Sequence, residues 1–181
     1  ALIVSPERSR QVITMKFPYG IFNFATIRRE HYFYQDRTAL IPLLEESGKQ
    51  LLFLRPRRFG KSLLLSMLEH YYDIRRANEF DELFGNLAIG SNPTPLHNQY
   101  VILHWDFSVV KSQGEVKDIE AALHRAIAGF IHRCATQYRL SVDINLEDAT
   151  YTLNNLLIAI QEAGHKLYLF IDEYDNFANE I

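Results

Sequence analysis

Residues 51–65, Leu-Leu-Phe-Leu-Arg-Pro-Arg-Arg-Phe-Gly-Lys-Ser-Leu-Leu-Leu, constrain the fold of this chain more than any other stretch. An apolar run with strand character, 51–54, leads through a basic turn into Gly60-Lys61-Ser62. Leu64, Met67, Leu68 and Tyr71 then recur at the three-to-four residue spacing of an amphipathic helix. A strand, a loop and a helix start in that order are what a phosphate-binding loop requires. Successive backbone N–H groups at 58–62 would wrap an anionic phosphate, and the helix N-terminus would add its partial positive charge. Lys61 would reach the β and γ phosphates, and the Ser62 hydroxyl would ligate Mg²⁺. Gly60 lets the backbone approach the phosphate closely. The usual pattern is G-x-x-x-x-G-K-[ST], and here Arg55 stands at the first glycine position, so the entry turn does not depend on glycine's positive φ.

A second element complements the first. Residues 166–174, Lys-Leu-Tyr-Leu-Phe-Ile-Asp-Glu-Tyr, read as a continuous apolar strand, long enough to be buried on both faces of a parallel sheet and ending in two adjacent acids. In nucleotide hydrolases such a strand ends beside the phosphate loop. Asp172 would hold the Mg²⁺ shell there, and Glu173 would orient and polarise the attacking water. A strand followed by an acidic turn is common by itself; the two halves together, each at a strand's C-terminal end, are not.

Charge and composition narrow the classes. The 19 basic and 22 acidic residues give a net charge of −3, which offers no bulk electrostatic case for nucleic-acid binding. Cys134 is the only cysteine, so an internal disulfide is excluded and a reducing compartment fits. No apolar run approaches the roughly 20 residues needed to span a bilayer, and the first residues lack the apolar core of a signal peptide. The expectation is a cytoplasmic protein without a membrane partner, with residues 1–16 an N-terminal arm and 17–181 one nucleotide-binding domain.

The rest of the chain fits alternating helices and strands. Residues 17–38 are rich in aromatics, including Phe17, Tyr19, Phe22, Phe24, Tyr32, Phe33 and Tyr34. They lie where a base-flanking segment is expected, although packing against the sheet edge explains them better. A short helix is expected over 39–46, a long one over 60–76, and at most a short helical piece at 79–84 within a loop region. Residues 100–107 read as a second buried strand, with Asp106 and Ser108 at its C-terminal end. That is the edge where open α/β sheets bind ligands, and local backbone bonding explains the pair equally well. Helices over 115–138 and 147–163 follow from their apolar stripes. None of the seven histidines sits with an acid or cysteine at metal-ligand spacing.

Several strings taken together resemble the bacterial AAA-ATPase-like family. They are Phe17-Pro18-Tyr19-Gly20, Phe24, Ile27-Arg28, Tyr34-Gln35-Asp36-Arg37-Thr38, Arg55-Pro56-Arg57-Arg58-Phe59-Gly60-Lys61-Ser62, Asp106-Phe107-Ser108 and Ile171-Asp172-Glu173-Tyr174-Asp175. The resemblance covers nearly the whole chain from Phe17 onward, and an arginine at the position of Arg55 is usual in that family. It implies a P-loop NTPase: an α/β three-layer sandwich with a mostly parallel central sheet, here ending after the acidic strand. A sheet strand normally lying between the phosphate-loop strand and the acidic strand would be missing, leaving a gap. The nucleotide-binding set implied is Arg57, Arg58, Phe59, Gly60, Lys61, Ser62 and Leu63. Ser62 and Asp172 would hold Mg²⁺, and Lys61 and Glu173 would be catalytic. Asp36-Arg37-Thr38 stands where the family usually has aspartate-lysine-threonine. Members often continue into a nuclease-like domain of the PD-(D/E)XK type, so the implied partners include such a domain, nucleic acid reached through it, and further copies of the chain.

The leading expectation is an ATP-binding and ATP-hydrolysing module acting as motor or switch for a C-terminal effector domain. The alternative is a non-catalytic nucleotide sensor regulating a partner or nuclease domain. Direct nucleic-acid binding rests only on Arg55, Arg57 and Arg58, which the phosphate loop explains more simply. No Asn-Lys-x-Asp motif marks a GTPase, and the Asp172-Glu173 pair fits hydrolysis better than small-molecule phosphorylation.

Overall fold

The computed structural model describes residues 15–54, 56, 59–110 and 115–173. Along the chain come α1 (Phe24–Arg29), α2 (Ile41–Glu46), α3 (Lys61–Tyr72), α4 (Phe80–Phe84), β1 (Tyr100–Asp106), α5 (Val116–Tyr138), α6 (Ala149–Glu162) and β2 (Lys166–Asp172). The strands pair in parallel, with Tyr100 opposite Lys166 and Asp106 opposite Asp172. Parallel neighbours need a long crossover, and α5 and α6 supply it.

Side chains alternate across a pleated strand, so the register sorts the sheet into two faces. Ile102, His104 and Asp106 share one face with Tyr168, Phe170 and Asp172. This face packs on α3, with α1, α2 and α4 beyond it, in a cluster that includes Phe24, Ile41, Met67, Tyr71, Phe84 and Phe170. Val101 and Leu103 look the other way, onto Phe130 and Ile131 of α5 and Leu156 and Ile160 of α6. The result is an α/β core in which helices cover both faces of a two-stranded sheet.

The strand expected at 51–54 is not part of that sheet. Among the described residues the order is β1-β2 alone, and Leu51, Leu52, Phe53 and Leu54 are 46%, 70%, 40% and 70% exposed. An apolar run becomes a strand only when a neighbouring segment takes its backbone hydrogen bonds, and composition cannot supply that neighbour. Of the expected three-layer sandwich, the described residues contain the α/β core.

Other boundaries moved for local reasons. The helix expected over 60–76 stops at Tyr72, because Asp73 turns to an extended backbone and its carboxylate accepts the Arg75 N–H at 2.9 Å. That cap starts a 3₁₀ turn over Ile74–Glu79. The six-residue helix α1 was not expected within the aromatic segment. Asn23 caps it by accepting the Thr26 N–H at 2.9 Å. Phe24 and Ile27 are then fully buried, while Phe17, Tyr19 and Phe22 remain 65%, 99% and 65% exposed, so packing accounts for only part of the aromatic run.

The outer edge of β1 is closed by side chains of α5. The Ile102 N–H donates to Tyr138 Oη at 2.9 Å, and Cys134 Sγ–H donates to the Ile102 carbonyl at 3.5 Å. Tyr138 Oη–H in turn donates to Asp73 Oδ1 at 2.9 Å. Hydrogen-bonding groups through which a further strand would join β1 are therefore taken. Burial pushes the Cys134 thiol up to about 12 and the Tyr138 hydroxyl higher than an ordinary phenol.

Candidate functional site

The direction of α3 decides what meets at the end of the sheet. Asp73, just after α3, forms a parallel bridge with Tyr100, the first residue of β1. One residue back, the Tyr72 ring lies against Tyr100 and stacks on Tyr168, with centroids 5.7 Å and 4.8 Å apart. One turn further back, Glu69 Oε1 is hydrogen-bonded to His104 Nδ1. Moving toward the start of α3 is thus moving toward the C-terminal ends of the strands. From Glu69 to Ser62 is about 10 Å of helix, and from His104 to Asp106 about 7 Å of strand. The start of α3 therefore lies at the end of the sheet where β1 and β2 finish in Asp106 and Asp172.

Gly60 precedes α3 with φ 78° and ψ 22°, a left-handed conformation that explains glycine at this position. No side chain caps the helix start, so the first N–H groups keep their capacity to bind an anion, in the positive field of the helix end. Lys61 makes no ion pair with any described residue. Ser62 and Phe59 are exposed and Leu63 is half-buried. Arg55, Arg57 and Arg58 lie outside the described residues, as do Tyr174 and Asp175.

The acids are engaged locally. Asp106 Oδ1 accepts the Ser108 N–H at 2.9 Å, which is the backbone-bonding alternative for this pair. Asp172 Oδ1 accepts the Glu173 N–H at 3.0 Å. Glu173 has φ 53°, so the chain turns sharply as soon as the strand ends. His104 shares the face of Asp106 and Asp172 and feels both. The hydrogen bond that His104 donates to Glu69 raises its pKa above the ordinary imidazole value, burial opposes that, and the field of Glu69, Asp172 and Asp106 adds to the rise.

Sequence reasoning missed Glu69 and His104, which sit on different elements and carry no spacing signal. It also missed the long-range contacts of two family strings. Asp36 and Thr38 tie the approach to α2 onto the loop after α4: the Ala88 N–H donates to Asp36 Oδ2 at 2.7 Å, and the Ile89 N–H to Thr38 Oγ1 at 3.1 Å. Burial acts to raise the Asp36 pKa, but the hydrogen bonds from Thr38 and Ala88 outweigh it and hold the carboxyl below its usual value. Arg37 between them is exposed. Arg28 donates to the Leu83 carbonyl at 2.8 Å and to Asn86, which seats α1 against α4.

Among the described residues no group of three or more histidines, cysteines or acids is arranged to hold a metal ion. The donors at this end of the sheet, the Ser62 hydroxyl and the Asp172 carboxylate, are oxygens. That chemistry fits Mg²⁺, which keeps most of its water or phosphate ligands and takes one or two from protein.

These features define an α/β protein in which a helix opening on glycine, lysine and serine starts toward the end of the sheet where two strands finish in aspartates. The family model described as AAA-ATPase_like, Predicted AAA-ATPase, matches residues 18–181, and the chain belongs to that family. A curated relative described as "Uncharacterized protein in vnfD 5'region", from Azotobacter chroococcum mcd 1, is 45% identical over 58 residues, which cover 32% of this chain and 11% of that protein. No solved structure matches the chain. No helix among the described residues is long and apolar enough to cross a membrane.

Proposed function

We propose that the chain binds ATP with Mg²⁺ and hydrolyses it, as the nucleotide-binding unit (17–181) of a P-loop NTPase that drives or switches an effector domain. The single observation that supports this most is the antiparallel lie of α3 on the sheet, with Gly60 to Leu63 at the end where Asp106 and Asp172 finish. In this reading Lys61 and the first amides of α3, with Arg57, Arg58 and Phe59, hold the phosphates. Ser62 and Asp172 hold the metal. Mg²⁺ bound with the nucleotide supplies neutralisation of phosphate charge. Glu173, on the turn after β2, accepts a proton from and orients the attacking water. We extend the reading to a cytoplasmic location, a nuclease-like effector and self-association through further copies of the chain.

The test is calorimetric titration of Mg-ATP and Mg-GTP into the chain and into its Lys61→Ala variant, followed by phosphate release. Saturable ATP binding that is lost in the variant is the expected result, and undiminished binding in the variant sinks the assignment. Glu173→Gln should keep ATP bound and abolish release. The sensor reading predicts tight Mg-ATP binding with no release from the parent chain.

A further inference from the structure

The contact between Glu69 and His104 is the one side-chain hydrogen bond between the body of α3 and the sheet among the described residues. Around it the interface is apolar and aromatic, with Leu64, Leu65, Met67 and Leu68 in the cluster that also holds Ile102, Tyr168 and Phe170. Such packing holds the helix on the sheet, and the hydrogen bond adds a polar contact of defined geometry to it. The C-terminal end of α3 is anchored separately: Asp73 bridges Tyr100, and Asn98 Nδ2 donates to the Asp73 carbonyl at 2.8 Å. With that end pinned, Glu69–His104 is the second polar attachment of α3 to the sheet, while Ser66 Oγ accepts the Phe24 N–H at 3.0 Å and ties the helix to α1. Ser62 lies two turns beyond Glu69 on the same side of α3, about 10 Å along the axis. Over that lever, a tilt of about 6° moves the helix start by about 1 Å. His104 itself sits on the face of β1 that carries Asp106, beside Asp172 in register. Its Nε2 is buried with no hydrogen-bond partner, so the bond to Glu69 is the one hydrogen bond of the ring, which lies 6.4 Å from Phe170 between centroids.

Resting on the nucleotide-binding reading, we propose that Glu69 and His104 are a positioning pair that sets the separation between Ser62 on α3 and Asp172 on β2. Neither touches the nucleotide. Those two groups come from different elements, and a metal shared between them senses the spacing. The phosphate contacts of Lys61 and the helix amides come from α3 and the loop before it, and they move with the helix.

The difference makes the proposal testable by calorimetry of ATP binding with Mg²⁺ and with EDTA, on the parent chain, His104→Phe, His104→Asn, Glu69→Met and Lys61→Ala. His104→Phe removes the link, and His104→Asn restores a donor at the position of Nδ1. The expected result is an affinity lower by about tenfold in Mg²⁺ for His104→Phe, with the EDTA affinity within about twofold of the parent. Recovery toward the parent in His104→Asn completes the expectation. Equal losses with and without Mg²⁺, an unchanged His104→Phe, or a His104→Asn as weak as His104→Phe each overturn it. Should His104→Phe fail to melt cooperatively, Glu69→Met, which keeps a long unbranched side chain but removes the acceptor, carries the comparison with the same two outcomes. A parent chain that binds no ATP, or a Lys61→Ala variant that binds it undiminished, overturns the nucleotide reading and the positioning pair together. Binding lost only in Lys61→Ala overturns the pair alone.

Discussion

The two edges of the small sheet are built in opposite ways. On the outer side of β1, α5 reaches over with Tyr138 and Cys134 and takes the backbone groups of Ile102, while Asp73 bridges Tyr100 below them. On the outer side of β2, no strand pairs among the described residues, and Leu169 and Ile171 are 36% and 45% exposed. Leu103, opposite Leu169 in the register and on the same face, is 1% exposed. A strand edge is stabilised either by another strand or by side chains that imitate one. The difference teaches that β1 is finished as an edge, whereas β2 has strand geometry without a paired strand beyond it among the described residues.

Truncations at the two strands should separate most. Leu103→Ala is expected to cost about 3 kcal/mol, and Leu169→Ala less than about 1 kcal/mol, because only the first empties a closed core. Urea midpoints of the two variants decide it, and equal costs would erase the distinction. Next comes the network that closes β1. Asp73 accepts from Tyr138 and Arg75 and forms an ion pair with Arg76, and both guanidinium groups are partly open to solvent, so Asp73→Ala is expected to cost about 2 kcal/mol after solvent screening. Tyr138→Phe removes one hydroxyl that bonds on both sides, and about 1 to 2 kcal/mol should be lost. The same variant should speed hydrogen exchange at the Ile102 amide while leaving the Leu103 amide, which faces β2, near the global rate. The smallest effect is chemical. With its thiol pushed up to about 12, Cys134 should resist alkylation at pH 8 in the folded chain and react only on unfolding. Rapid labelling of the folded chain would mean that the closed edge opens readily.

Elements with their own periodicity were legible before any coordinates. The helices α5 and α6 and the strands β1 and β2 fall within a few residues of their expected bounds, because an apolar stripe or an apolar run of strand length carries its own signal. Contacts between distant segments were not legible. The apolar run 51–54 resembles β2 in composition, yet β2 has β1 beside it and 51–54 has no strand beside it among the described residues. The helix α1 is too short for a period to show, and its start depends on a single cap at Asn23. At the candidate site, Gly60, Lys61, Ser62 and Asp172 came from local strings, and the left-handed Gly60 agrees with the reason for expecting glycine there. Glu69 and His104 are 35 residues apart, and only the lie of α3 on the sheet brings them together.

The staple made by Asp36 and Thr38 also says something about the order in which the molecule is assembled. Its bonds to Ala88 and Ile89 join residues 52 and 51 positions apart, enclosing α2, α3 and α4. Closing a loop of that length costs chain entropy before any contact returns it, whereas α3 forms from neighbours along the chain. The staple is thus a late contact, made once the helices inside it have packed, and its strength acts on how slowly the folded chain opens more than on how fast it forms.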